Sequence, residues 1–295
     1  MSNGSAHAFD YDVVIIGAGI SGISFAYRLK ESNPNLSYVI IEARHEIGGT
    51  WSLFKYPGIR SDSDLYTFSF PWKPWTKGPA IAAGPLIQEY LYEAVAEEGI
   101  APHIRFNSKV NAMDWSSDTN TWTFDITANG STQHKLRSRF VCLGSGYYDY
   151  DEPLKVVVPG IDQFQGQVVH PQFWPEDLDY TDKNVVVIGS GATAVTLLPS
   201  MTDKASHVTM LQRSPSYIIP VPNSSGPFES FMLNCLPVRL AAALVRFRRT
   251  LIGFTFVNWC LRQPSSARKY LLSAMAKELP EGSAASPDFR ADGPD

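Results

Sequence analysis

Gly17, Gly19 and Gly22 stand in the spacing G-x-G-x-x-G directly behind an apolar, β-branched run, Tyr11–Ile16 (YDVVII), and Glu42 follows Gly22 by 20 residues. That spacing suits the pyrophosphate of a dinucleotide: the first glycine permits a tight turn, the second lets the backbone approach the phosphates, and the third lets a helix pack on the strand. The helix start then offers N–H groups and a positive dipole end to the phosphates, and Glu42 is expected to accept hydrogen bonds from the adenosine ribose. The pattern recurs. Lys183–Ile188 (KNVVVI) leads into Gly189-Ser190-Gly191-Ala192-Thr193-Ala194-Val195, with Ala194 in the place of the third glycine. The apolar run behind it, His207–Leu211, ends on Gln212-Arg213-Ser214 instead of an acid. A carboxylate there would repel a 2′-phosphate, whereas a guanidinium and a hydroxyl bind it. The first loop thus suits a nucleotide with a free ribose, such as FAD, and the second suits NADPH over NADH. Together they imply hydride transfer to a flavin.

Elements must carry these residues. Ile23–Lys30 reads as the helix behind the first loop and Ser37–Ile41 as the second strand of a parallel pair. Trp115–Asp125 and Ser131–Cys142 alternate as strands do, about a turn at Asn129-Gly130, and read as a small antiparallel insertion. Val141–Gly146 reads as a last parallel strand closed by a glycine turn beneath the cofactor, and Tyr147–Pro159 as a linker. A helical stretch is expected from about Phe228 to Lys277; its aromatic members Phe254, Phe256 and Trp259 suit core packing or a hydrophobic substrate entrance. The fold class is therefore α/β, with two Rossmann-like units, an antiparallel β insertion and a helical stretch. The domains read as 1–150 for FAD, 151–180 as linker, 181–282 for NADPH with the helical stretch, and 283–295 as a disordered tail.

Composition narrows the partners. A net charge of −4 shows no polyanion-binding surplus, so nucleic acid is not an expected partner. Cys142, Cys235 and Cys260 form no C-x-x-C pair and read as buried, reduced thiols of a cytoplasmic protein. Electron transfer to a disulfide would need two cysteines near the first glycine loop, and none precedes Cys142. Met1–Tyr11 is polar and does not read as a signal peptide. Leu240–Leu261 is apolar but interrupted by Arg246, Arg248 and Arg249, which predicts a buried or amphipathic helix and no membrane span.

Two further patterns carry a resemblance. Gly48-Gly49-Thr50-Trp51, then Tyr56-Pro57-Gly58 and Asp62, and the segment Phe164, Gly166, His170, Trp174 and Pro175 in the spacing F-x-G-x-x-x-H-x-x-x-W-P, are similar to the flavin-side motif and linker fingerprint of Baeyer–Villiger-type flavin-containing monooxygenases. The likeness spans nearly all of residues 10–282 and is strongest to their ethionamide-activating branch. It implies that NADPH reduces FAD and that O₂, through a C4a-peroxyflavin, inserts one oxygen into a small hydrophobic ketone to give an ester or lactone. Sulfides or amines are the alternative substrates. It also implies residue roles. Ser21, Glu42, Gly49, Thr50, Trp51 and Leu53 would line FAD, with Val110 at its adenine side. Asp62 would be the active-site carboxylate, orienting a catalytic arginine, with Arg60 and Ser61 near the nicotinamide. Gly189–Val195, Arg213 and Ser214 would hold NADPH. His170 and Trp174 would couple domain movement to catalysis. Asp64 reads as a helix cap.

The family's chain returns to its flavin domain after the NADPH unit, with an arginine that stabilises the anionic oxygenating species. This sequence has no such stretch after Gly282. The chain therefore reads as C-terminally truncated: a shortened product, a short form completed by a partner, or a nucleotide-binding remnant without turnover. Oligomeric state is not legible.

Overall fold

A computed structural model describes residues 9–213, 218, 223–224 and 226–278; the predicted tail at 283–295 lies outside them. They divide into two compact units, Met1–Tyr56 with Gly84–Glu176, and Pro57–Ala83 with Asp177–Asp295.

In chain order the elements of the first unit begin with β1 (Tyr11–Ile16), α1 (Ile20–Ser32), β2 (Tyr38–Ile41) and the single turn α2 (Thr50–Leu53). The short α3 (Leu65–Phe68) belongs to the second unit, and α4 (Gly84–Glu97), β3 (Ile104–Arg105), β4 (Ser108–Ser116), β5 (Thr121–Ala128) and β6 (Thr132–Leu143) return to the first. These strands form one mixed sheet in the order β3-β2-β1-β6-β5-β4. β1 lies between β2 and β6, parallel to both, which is why its centre, Val13–Ile15, is apolar without alternation and fully buried. Val14, Val39, Ile41, Phe124, Ile126 and Leu136 form the core cluster beneath the sheet, each contributing roughly 1.5–3 kcal/mol by leaving water.

The antiparallel insertion and the last parallel strand of the sequence reading are one continuous strand. β6 pairs antiparallel with β5 from Thr132 to Ser138 and parallel with β1 from Ser138 to Leu143. The expected strand Trp115–Asp125 is corrected: it straddles a turn at 117–120 that joins β4 to β5, where Asn120 takes a left-handed φ of 51°. The turn at Asn129-Gly130 is where the sequence put it, with φ of 49° and 75°.

The second unit holds β7 (Asn184–Ile188), α5 (Ala192–Met201) and β8 (His207–Leu211), with β7 and β8 parallel and in full register. Helices α6 (Pro227–Cys235), α7 (Val238–Arg262) and α8 (Pro264–Lys277) realise the predicted helical stretch. Only Ala241 and Val245 of α7 are buried, while Leu244, Phe247, Phe254 and Leu261 are exposed. The expectation of a buried or one-faced helix is thereby corrected: the apolar residues spread around the helix and form no single stripe. No helix among the described residues is long and apolar enough to cross a membrane. The three cysteines are free, but none is buried: Cys235 is exposed and the other two half-buried.

Candidate dinucleotide sites

The first glycine loop is built from backbone approaches that leave no room for side chains. Gly17 has φ +98°, and a β-carbon there would lie 2.6 Å from the Gly144 carbonyl oxygen, where β6 ends beside β1. One on Gly22 would lie 1.9 Å from the Gly17 carbonyl, so the third glycine allows α1 to start against the loop. Across from them, Gly49 has φ +57°, and a β-carbon on it would meet the Gly19 α-carbon at 3.3 Å. Two bare backbone segments therefore face one another at the start of α1. The N-cap of that helix, Gly19, makes no side-chain cap bond, so its first-turn N–H groups are presented to whatever anion sits there. Ser21 is exposed on this turn.

Glu42, at the end of β2, is buried at 8% exposure. Its carboxylate accepts from the Ala18 N–H at 2.7 Å and from the Arg44 N–H at 2.9 Å. A carboxylate has about four lone-pair sites, so each oxygen keeps capacity for a ribose hydroxyl. The loop, the carboxylate and the Gly49 turn thus come together in one unit, and this bare, acid-ended cradle fits the ADP part of FAD. Thr50, Trp51 and Leu53 continue from Gly49 along α2. Val110 lies on β4 opposite Ile126, half-buried, beside a register shift between Val110 and Ala112, a bulge that takes backbone off the ladder near it. Burial pushes the Tyr150 hydroxyl up, with the charge of Glu42 adding to it.

Sequence reasoning missed what holds this cradle. Arg44 Nη1 donates to Ser52 Oγ at 2.6 Å and to the Gly49 carbonyl at 3.3 Å, and Nη2 donates to the Ser52 carbonyl at 3.1 Å. Nη2 also meets Glu46 at 3.2 Å, and Glu46 accepts from Gln88 of α4 at 2.9 Å. An arginine two residues beyond the ribose acid was the available signal.

The second loop repeats the first in looser form. Gly189 has φ +137° and donates its N–H to the Leu211 carbonyl at 2.8 Å; α5 starts behind Gly191, again without a side-chain cap. A β-carbon on Gly191 would meet nothing within 4 Å. Ala192, Thr193, Ala194 and Val195 form the first turn, with Ser190 in the loop, and the site fits a pyrophosphate. Arg213 is exposed two residues past β8. Ser214 lies outside the described residues.

Arg60, Ser61 and Asp62 belong to this second unit. A β-carbon on Gly58 would strike Ser200 Oγ of α5 at 1.9 Å, so their segment packs on the helix of the second loop. Arg60 bridges to Ala83, the Ser61 N–H donates to the Ala82 carbonyl at 2.9 Å, and Asp62 is exposed with Ser63 Oγ at 3.4 Å. Asp64 is the cap the sequence indicated: it accepts from the Thr67 N–H at 3.1 Å and lies 3.7 Å from Arg249. Arg246 of α7 donates to the Tyr66 carbonyl at 3.1 Å and the Ser69 carbonyl at 2.7 Å.

The fingerprint Phe164–Pro175 lies in the first unit. A β-carbon on Gly166 would come within 2.6 Å of the Phe164 ring, which accounts for the F-x-G pair. His170 Nδ1 accepts from the Gln172 N–H at 3.2 Å, capping the 3-10 turn Pro171–Phe173, and the Gln172 side-chain amide donates to the Asp149 carbonyl. Trp174 and Pro175 are half-buried behind that turn.

The profile of a family described as pyridine nucleotide-disulphide oxidoreductase matches residues 14–225. The chain is 50% identical over 272 residues to the FAD-containing monooxygenase EthA of Mycobacterium tuberculosis (strain ATCC 25618 / H37Rv), covering 92% of this chain and 55% of that protein. It is 47% identical over 271 residues to the probable FAD-binding monooxygenase AlmA of an Acinetobacter species, covering 91% and 54%. The chain thus spans about half the length of the curated relatives it matches. Among solved structures, OTEMO in complex with FAD and NADP matches with a TM-score of 0.63 at 28% identity, over 74% of this chain and 41% of that one. The polycyclic ketone monooxygenase of Thermothelomyces thermophila matches with a TM-score of 0.66 at 26% identity, over 75% and 38%.

Proposed function

The chain belongs to the pyridine nucleotide-disulphide oxidoreductase family, and from that premise we propose that it is the nucleotide-binding portion of an FAD- and NADPH-dependent monooxygenase that inserts oxygen from O₂ into a small hydrophobic ketone. The observation that carries this reading is the contrast between two uncapped glycine loops, one closed by a buried carboxylate, Glu42, and the other followed by the exposed Arg213. The relatives supply its support: two are named FAD-containing or FAD-binding monooxygenases, and one structural neighbour is solved with FAD and NADP.

FAD, held by these residues, would supply the redox chemistry of hydride acceptance and oxygen activation. The chain's own residues bind and orient. Gly17, Gly19, Ser21 and Gly22 present backbone N–H groups to the pyrophosphate, and Glu42 accepts from the ribose. Gly49, Thr50, Trp51 and Leu53 line the flavin, with Val110 at the adenine end. Gly189–Val195 hold the NADPH pyrophosphate, and Arg213 with Ser214 neutralises the 2′-phosphate. Asp62, with Arg60 and Ser61 toward the nicotinamide, would be the carboxylate that orients a cation. Within the fingerprint Phe164, Gly166, His170, Trp174 and Pro175, His170 and Trp174 would couple domain movement to catalysis; His170, whose Nδ1 already accepts from backbone, serves structure and not proton transfer. The domains proposed with this function are 1–150 for FAD, 151–180 as linker and 181–282 for NADPH. A cytoplasmic setting belongs to the same reading, supported by three free thiols.

The test is made on the purified chain supplied with FAD, NADPH and O₂, with ketone, sulfide and amine substrates run side by side. A ketone product heavier by one oxygen, formed in step with NADPH oxidation, supports the proposal. A sulfoxide or N-oxide instead would move the chain to heteroatom oxygenation. Tight FAD and NADPH binding with hydrogen peroxide as the sole product would make it a binding fragment.

A further inference from the structure

Arg44 has no part in the loop pattern, yet it touches both sides of the flavin-side cradle. Its main-chain N–H donates to Glu42 Oε1 at 2.9 Å, and the other carboxylate oxygen, Oε2, accepts from Ala18 in the glycine loop at 2.7 Å. Its guanidinium reaches the opposite wall, donating to the Gly49 carbonyl, Ser52 Oγ and the Ser52 carbonyl at 3.3, 2.6 and 3.1 Å. Ser52 is fully buried. Gly49 holds φ +57° and ψ −120°, a conformation that L side chains avoid, so the turn needs outside anchorage to stay where α2 begins. Glu46 at 3.2 Å balances the arginine's charge and is itself held by Gln88. Only a guanidinium, with its planar fork of donors, serves three acceptors on one wall and a carboxylate beside them; an ammonium on a flexible stem does not.

We propose that Arg44 is a positioning residue for FAD: it sets the distance between the ribose-binding carboxylate of Glu42 and the Gly48–Leu53 turn, and so shapes the cradle before the cofactor arrives. The proposal rests on the FAD reading given above for that cradle. It predicts that losing the guanidinium weakens FAD binding without unfolding the unit, because the sheet core of β1, β2 and β6 contains no part of the network.

The test uses the full chain and the variants Arg44→Ala and Arg44→Lys, with Arg28→Ala as a surface-arginine control whose partner is Glu31 on the same helix. FAD affinity is read by flavin fluorescence, and amide hydrogen exchange is read with and without FAD. Arg44→Ala is expected to weaken FAD binding about tenfold or more, as for a lost set of charge-assisted hydrogen bonds, with Arg44→Lys recovering less than half of the loss and Arg28→Ala unchanged. The same alanine substitution in a Ser52→Ala background should cost less than in the wild-type background, because one of the three acceptors, Ser52 Oγ, is already gone while the Gly49 and Ser52 carbonyls remain. Added guanidinium should restore part of the affinity to Arg44→Ala. Without FAD, exchange should quicken at the Ser52 and Leu53 amides. Unchanged exchange at those amides in Arg44→Ala overturns the proposal, as does a loss of affinity that is the same in both backgrounds. If the wild-type chain binds no FAD, the functional reading falls, while the exchange result still decides whether Arg44 holds the Gly48–Leu53 turn.

Discussion

At Gly22 a β-carbon would lie 1.9 Å from a carbonyl oxygen, whereas Ala194 holds the equivalent place in the second loop and carries one, buried at 7%. The substitution Gly22→Ala should therefore lower stability by ~1–3 kcal/mol, the usual range for overpacking. Ala194→Gly should cost only about 1 kcal/mol, the helix-propensity difference. Urea unfolding of the two variants measures both. Arg213 carries a second prediction. Replacing it with Ala should raise KM for NADPH about 10- to 100-fold, the range for a lost charged hydrogen bond, and leave KM for NADH nearly unchanged; equal losses for both would remove the 2′-phosphate role. Residues of this type were legible in the sequence because the need they meet is local: a turn, a helix start, a strand end. Arg44, Ser52, Gln88 and Gln172 were not, because the bonds that give them their place include Arg44 to Ser52 over 8 residues, Gln88 to Glu46 over 42 and Gln172 to Asp149 over 23, and no short spacing encodes such a pairing.

Elements inherit these local choices and add tertiary ones. The single turn α3 stands because Asp64 caps it and because Arg246 ties its carbonyls to α7. Asp64→Ala should cost ~1 kcal/mol, seen as faster amide exchange at Thr67. The turn after β6 is expected to respond to pH. Asp149 Oδ1 accepts from the Asp151 and Glu152 N–H groups at 2.9 and 3.1 Å, and these bonds hold its carboxyl below the ordinary value of 3.8. A depressed folded-state pKa adds stability above 3.8, and that stability is lost as pH falls through the lower folded value. The difference in urea midpoint between wild type and Asp149→Ala should accordingly be present at neutral pH and close as the pH is taken below 3.8. Element type was readable from period and β-branching. The β4–β5 boundary was not, since the turn at 117–120 has neither glycine nor proline and is marked only by Ser, Asp and a left-handed Asn120.

Across the whole chain, motif order and packing order part company. Residues 57–83 follow the flavin-side turn directly in sequence but pack with Asp177–Asp295, because Gly58 seats on α5 and Arg246 holds the Tyr66 and Ser69 carbonyls. No sequence pattern announces that exchange, whereas the two α/β units themselves were plain from their paired loops. β6 has a consequence of another kind, for the order of folding. Its first half closes a local meander with β5 and β4, and its second half pairs with β1 across a separation of 127 residues, Tyr11 to Ser138. Nearby strands close faster than distant ones. During synthesis β1 therefore emerges with one flank open and waits until the meander arrives with Ser138–Leu143 already extended as a template. The glycine loop depends on that late event, since the Gly144 N–H donates to the Ile16 carbonyl at 2.8 Å just where Gly17 turns. Competence of the first loop to take up a nucleotide thus waits until β6 is complete.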